Sequence, residues 1–266
     1  MIPYAWKISS QKAGPTVAIF GGMHGDEPAG IAVIKYLKNE LKIESGSVYL
    51  VLANPEAIER GERVVDGTNL NRCLEAGSTN PRAIELMKLL DECDAALDLH
   101  EHHDPPQVGD FLVTEEPSFA IARQLGVSKI TYGWAKAEPG ATDSYMYETG
   151  KIGITYEAGS ITEDNTQRCL DIVQKFLVAL GNINGTNSVA HDHEMIKMLR
   201  SIYVKTHEFQ FAQAFTSFDQ LVEGQIVARD GEEIYKAGSQ ELIVFPRPNK
   251  PIGAEACLIG KQMSSV

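Results

Sequence analysis

His24 and Glu27 lie three residues apart in the run GGMHGDE, residues 21–27. A histidine and a carboxylate at that spacing can hold one Zn²⁺ from two sides, and a third ligand would leave a position for water. Alone the pair is weak, because the chain has seven histidines and 36 acidic residues and such matches arise by chance. Two further residues give it company. His100 closes the run ALDLH and Glu157 closes ITYE, each at the end of an apolar stretch. Together His24, Glu27 and His100 make a His₂Glu set, the kind that binds catalytic zinc, and Glu157 is a further polar candidate at the same kind of strand end.

These side chains need elements that end at one place. Residues 17–20 (VAIF) predict a buried strand, broken by Gly21, Gly22 and Gly25. Pro28 then opens an amphipathic helix over residues 29–41. Residues 48–53 predict a second strand, stopped by Asn54-Pro55. The polar, glycine-containing stretch 58–78 predicts a long ordered loop, a common place for function beside strand ends. Asn80-Pro81 predicts an N-cap and first-turn proline for a helix through about residue 90. Residues 95–100 predict the strand that delivers His100. Short strands follow at 111–114 and 129–132, with a helix over 118–125 between them. Residues 133–149 predict a loop with a helical turn near 143–148. The strand 152–157 ends on Glu157, and a long helix covers 162–180. This alternation predicts a parallel or mixed sheet covered by helices on both faces. In such sheets ligands bind outside the carboxyl ends of the strands, where all four candidates fall.

Residues 181–194 read as a linker. Beyond residue 199 short β-like runs at 201–205, 225–228, 241–245 and 256–259 predict a small β-barrel or sandwich. The expected division is therefore a catalytic unit over residues 1–190 and a small β domain over 191–266. His191 and His193 form an H-x-H in the linker, where a second metal site is the lesser reading.

The formal net charge of −12 argues against a general nucleic-acid or anionic-membrane surface, though a few Arg can still make a positive pocket. Cys73, Cys93, Cys169 and Cys257 are scattered without a C-x-x-C, as in a reducing compartment. The first residues lack a signal-peptide pattern, and no apolar run reaches the ~20 residues of a membrane span. The expectation is a cytoplasmic protein, and a homo-oligomer is compatible with it.

The motifs GGMHGDEPAG, NPEAIERGERVVDGTNLNR, ALDLH and ITYEAG occur in that order across residues 17 to about 160. In this combination the chain resembles the succinylglutamate desuccinylase/aspartoacylase family, a branch of the zinc carboxypeptidase superfamily. The resemblance implies an α/β fold, with a zinc-carboxypeptidase-like mixed sheet and a small C-terminal β domain bordering the substrate channel. It implies one Zn²⁺ per chain on His24, Glu27 and His100. Asn71 and Arg72 would bind the substrate's α-carboxylate, Arg63 would polarise the scissile carbonyl and Glu157 would be the general base. The implied reaction is zinc-dependent hydrolysis of the acyl-amide bond of an N-acyl amino acid or similar small amide, a non-peptide carbon–nitrogen bond. Carboxypeptidase-like cleavage of short peptides, or a silent metal-binding protein, are the alternatives.

The chain departs from the family in three places. Asn69 stands where many members have an Asp supporting a zinc ligand, so Asp66 or Asp98 are candidates for that support. Arg63 is one residue farther from Asn71 than is usual, which makes Arg60 its rival. Aspartoacylases carry an additional Arg shortly before the catalytic glutamate. Here that stretch, residues 143–151, has no Arg and places Tyr147 near the matching position. Tyr145, Met146 and Tyr147 are therefore expected to offer an apolar wall suited to a neutral side chain, with Tyr147 touching substrate. Glu101, His102 and His103 read as the polar rim of a loop, with contact between substrate and His102 or Glu101 as the alternative.

Overall fold

The computed structural model describes residues 2–105, 108–188 and 192–263. Its largest sheet has ten strands. The centre is β2 (Thr16–Gly21), β4 (Ala95–His102) and β7 (Ile152–Ser160), paired in parallel, with β3 (Ser47–Leu52) parallel to β2 on the outer side and β1 (Ala5–Ser9) antiparallel at that edge. On the other side β7 meets β5 (Phe111–Thr114) antiparallel, and β6 (Lys129–Tyr132) follows parallel to β5.

All eight residues of β4 are buried, including Asp98, His100, Glu101 and His102. A strand covered on both faces reads as a continuous run, not an alternating one. Alternate residues still serve opposite layers. Val17, Ile19, Leu97 and Leu99 pack with Val33 and Ile34 of α1 (Pro28–Glu40) and with Ile172 and Phe176 of α7 (Asn165–Leu180). Ala18, Phe20 and Ala96 pack with Leu86 and Leu90 of α3 (Pro81–Asp91) on the other face. Asn80 caps α3 as its sequence predicts, accepting a hydrogen bond from the Ala83 N–H at 3.0 Å.

The sheet does not stop at the expected linker. β8 (Glu194–Tyr203) pairs in parallel with β6, and β13 (Glu255–Met263) and β12 (Glu241–Val244) extend the same sheet beyond it. Ile196 and Met198 of β8 share a core cluster with Phe111 and Trp134, so the C-terminal strands are packed onto the N-terminal ones. A small separate sheet is present as well, made of β9 (Gln210–Phe211), β10 (Ile226–Asp230) and β11 (Glu233–Lys236). His193 is buried, with Nδ1 at 3.0 Å from the Val127 carbonyl; His191, its partner in the H-x-H, lies outside the described residues. Among the described residues no helix is long and apolar enough to cross a membrane.

The turn from β2 into α1 is packed tightly enough to require glycine. A Cβ on Gly25 would sit 2.0 Å from the Ala57 carbonyl oxygen, and the Gly25 N–H donates to the Glu62 carbonyl at 2.9 Å. Gly25→Ala should therefore destabilise the protein by about 1–3 kcal/mol through overpacking. Thermal unfolding measures this; an unchanged melting temperature would mean that the backbone around Ala57 yields freely.

Candidate active site

β2 and β4 carry their apolar runs into the sheet and release polar residues at the carboxyl edge. His24 and Glu27 follow β2, and His100 lies near the end of β4. His24 Nδ1 is 2.7 Å from Glu27 Oε1, and His100 Nδ1 is 3.0 Å from Glu27 Oε2. The three side chains are all buried, and one donor atom from each lies within 4.8 Å of the others. Glu27 also accepts from the Glu101 N–H at 3.2 Å and from Arg63 Nη1 at 2.7 Å.

The electrostatics follow from burial and close contact. Burial opposes ionising Glu27, but His24 and His100 outweigh it and hold the carboxyl well below its ordinary range. Burial lowers the pKa of His24, only partly offset by Glu27, which leaves a neutral imidazole with a lone pair available. His100 is also desolvated, yet Asp98 and Glu27 on either side raise its pKa well above that of free imidazole.

The far sides of both imidazoles are backed. Asn69 Oδ1 is 3.2 Å from His24 Nε2, so the residue that departs from the family pattern keeps the contact without the charge. Asp98 Oδ2 is 3.3 Å from His100 Nε2, within ion-pair reach but out of line for a hydrogen bond. Thr142 Oγ1 donates to the same Asp98 oxygen at 2.7 Å. Asp66 plays no such part; it is exposed and paired with Arg60 at 3.2 Å.

Glu157 is in register with His100 on the neighbouring strand. Burial pushes its carboxyl up to about 7, with the charge of His100 pulling the other way. Glu157, His24, His100 and Arg63 all line one cavity of about 340 Å³. Arg60 does not reach it. It ends α2 (Pro55–Arg60), where it turns back to Glu56, and the left-handed Gly61 after it redirects the chain so that Arg63 faces Glu27.

Asn71 and Arg72 line the same cavity, on a 3₁₀ turn spanning Leu70–Arg72. Asn71 Oδ1 is buried with no hydrogen-bond partner among the described residues. Arg72 is already engaged. Nη1 donates to the Asn71 carbonyl at 2.6 Å, and Nη2 makes a close ion pair with Glu138, which is itself on the cavity wall. Glu255 stands behind Glu138. Burial first, then the adjacent Glu138, push its carboxyl up to about 8.

The expected apolar wall from residues 145–147 is not there. Tyr147 does not line the cavity: it is 42% exposed, on the outer face of α6 (Thr142–Glu148). Met146 is in the core, and the Tyr145 hydroxyl bonds Asp91. Only the first turn of α6 faces the site, through Thr142 on Asp98 and through Asp143. The apolar wall is instead Val113, Trp134, Phe245, Pro246 and Pro248. Two cations absent from the expected set, Arg247 and Lys250, come with it from the β12–β13 connection. The signal for them was the proline-spaced run FPRPNKP, residues 245–251, which carries no motif of its own.

Glu101, His102 and His103 line the same cavity and are tied into its frame. Glu101 accepts from the Ala29 N–H at the start of α1 and from Asn165 of α7. His102 is buried against Phe111, and exposed His103 pairs with Asp26.

A family model described as the succinylglutamate desuccinylase/aspartoacylase catalytic domain matches residues 13–182. A succinylglutamate desuccinylase of Shewanella baltica is 26% identical over 298 residues, spanning 94% of this chain and 84% of that protein. An N-alpha-acetyl-L-2,4-diaminobutyric acid deacetylase of Halomonas elongata is 26% identical over 254 residues, spanning 86% and 73%. Among solved structures, succinylglutamate desuccinylase from Vibrio cholerae superposes with a TM-score of 0.81 at 20% identity, covering 97% of this chain and 85% of that one. A product-bound ectoine utilization protein from Ruegeria pomeroyi gives 0.72 at 19% identity, covering 97% and 88%. At these identities the structures speak for a shared fold.

Proposed function

Because the chain belongs to the succinylglutamate desuccinylase/aspartoacylase family, we propose that it is a zinc-dependent hydrolase that splits the acyl-amide bond of a small N-acyl amino acid, releasing a carboxylate and an amine. The observation that carries this reading is the convergence of His24, Glu27 and His100, all buried, within 4.8 Å at a cavity that Glu157 and Arg63 also line.

The donor set fits zinc: two imidazole nitrogens and an ionised carboxylate, with Asn69 and Asp98 behind the two rings. Bound there, Zn²⁺ would lower the pKa of a water towards ~7 and polarise an acyl oxygen. The protein's own groups do the rest. Glu157 takes a proton at its carboxylate and hands it to the departing nitrogen, a role suited to a carboxyl held at about 7. Arg63, fixed against Glu27, offers its guanidinium to the negative charge that develops on the acyl oxygen. Asn71 and Arg72 both line the cavity, where an amide N–H and a guanidinium can donate to a substrate carboxylate.

A hydrolysis screen over N-acyl amino acids and short peptides, with products identified by mass, tests the reading. Release of free acid and amino acid supports it; turnover confined to peptides would make the protein a carboxypeptidase. Asp98→Asn should weaken zinc affinity about 10- to 100-fold, since it removes the charge behind His100. Competitive titration with a zinc indicator measures that, and unchanged affinity would leave Asp98 without a role at the metal.

A further inference from the structure

α1 starts on a residue of the candidate metal site. Glu27 is its N-cap, the position whose side chain ordinarily accepts from the second or third helical N–H. Glu27 makes no such bond. Its oxygens are turned instead to His24, His100, Arg63 and the Glu101 N–H. Pro28, the first helical residue, has no N–H, and no acidic residue stands in the first turn. The first donor left over is the Ala29 N–H, in a residue only 3% exposed. A donor buried there without an acceptor would destabilise the helix start.

The acceptor comes from β4. Glu101 Oε2 accepts from the Ala29 N–H at 2.7 Å, and Glu101 Oε1 accepts from Asn165 Nδ2 at 2.8 Å. Asn165 is fully buried at the start of α7. Its Nδ2 also donates to the Ser160 carbonyl at 2.7 Å, and its Oδ1 accepts from Thr162 Oγ1 at 2.9 Å, so its amide is held in one orientation. The bonds between Glu101 and the start of α1 run both ways. The Glu101 N–H donates to Glu27 Oε2 at 3.2 Å, while the Glu101 carboxylate holds the N–H two residues after Glu27. This is the reciprocity of a capping box, divided between a helix and the neighbouring strand.

The backbone leaves little slack. A Cβ on Gly30 would lie 2.9 Å from the Leu99 carbonyl oxygen, so the first turn of α1 is pressed against β4. The β4–β7 register shifts between His100 and His102, which places Glu101 at an irregularity of the sheet. Such irregularities re-aim side chains beside active sites. Glu101 lines the cavity, but both of its oxygens already have partners within the protein.

We propose that Glu101 is a positioning residue for the metal centre: it caps α1 from the neighbouring strand, which frees the Glu27 carboxylate to act with His24 and His100 as a ligand. This rests on the reading of those three residues as a zinc site.

The test measures zinc affinity and stability on the same variants, the first by competitive titration with an indicator and the second by melting of the metal-free protein. Glu101→Leu keeps much of the volume and removes both acceptors. It should lower the melting temperature and weaken zinc binding about 10- to 100-fold. Glu101→Gln keeps an oxygen for the Ala29 N–H and should recover most of that affinity. Ala32→Gly, on the exposed face of α1, controls for helix stability alone. It should lower the melting temperature and leave zinc affinity unchanged.

Unchanged zinc affinity in Glu101→Leu would overturn the inference. An equal loss in Ala32→Gly would overturn it too, because Glu101 would then act only through helix stability. If Glu101→Leu does not fold, Asn165→Ala decides, since it releases the second Glu101 oxygen without altering α1. Zinc affinity should then fall about 10-fold, and unchanged affinity would overturn the inference. Wild-type protein that binds no zinc would sink the proposed reaction and the metal role of Glu101 together. Zinc binding by wild type that no Glu101 or Asn165 variant weakens would remove the inference and leave the reaction standing.

Discussion

Glu157→Gln should reduce turnover by about 10²- to 10⁴-fold, the usual cost of a lost general base. The amide is nearly the same shape as the carboxyl, so the cavity should keep its form and zinc its full stoichiometry. The pH profile should change as well. A base works in its ionised form, so wild-type kcat/KM should fall as pH drops through the Glu157 pKa. Burial sets that pKa at about 7 without metal, and a bound cation beside it moves the limb to lower pH. The variant should lose this limb. Initial rates across pH, with metal content measured on the same samples, decide the matter. Zinc loss would make Glu157 a ligand, and retained turnover would make it a bystander.

Removing the metal should remove activity altogether. Chelation is expected to bring hydrolysis to background and one equivalent of zinc per chain to restore it. Full turnover by rigorously metal-free protein would refute the mechanism. Affinity should weaken as pH falls. Asp98 and Glu27 overcome burial to raise the His100 pKa, so below that pKa a proton occupies the nitrogen the metal needs. Zinc should also raise the melting temperature, because the unfolded chain offers no assembled site.

What could be read from the sequence was local. His100 and Glu157 close apolar runs, and His24 and Glu27 lie in the glycine-containing loop after another, so finding the strand finds the residue, and parallel pairing brings the strand ends together. The choice between Arg60 and Arg63 needed the structure, because it turns on one left-handed glycine closing a short helix. Tyr147 was misplaced because distance along the chain does not say which face of a helix a residue takes; α6 brings only its first turn to the cavity. Glu138, Arg247 and Lys250 were invisible for a different reason. They reach the cavity through pairings between β6, β8, β13 and β12, whose partners are far apart in the chain. The same pairings carry the sheet across the linker at residues 181–194.

That continuity bears on how the chain must be made. β6 has β8 as its neighbour, and β8 is closed by β13, whose residues leave the ribosome some sixty positions later. During synthesis His24, Glu27 and His100 are all present long before the wall that carries Arg247 exists. A nascent chain ending near residue 190 exposes the unpaired backbone of β6 and the apolar side chains that Ile196 and Met198 later cover. Such an edge invites pairing with a second copy. Shortened forms of this protein should therefore be recovered as aggregates, and a tail from a relative should restore solubility only if it brings its own equivalents of both β8 and β13.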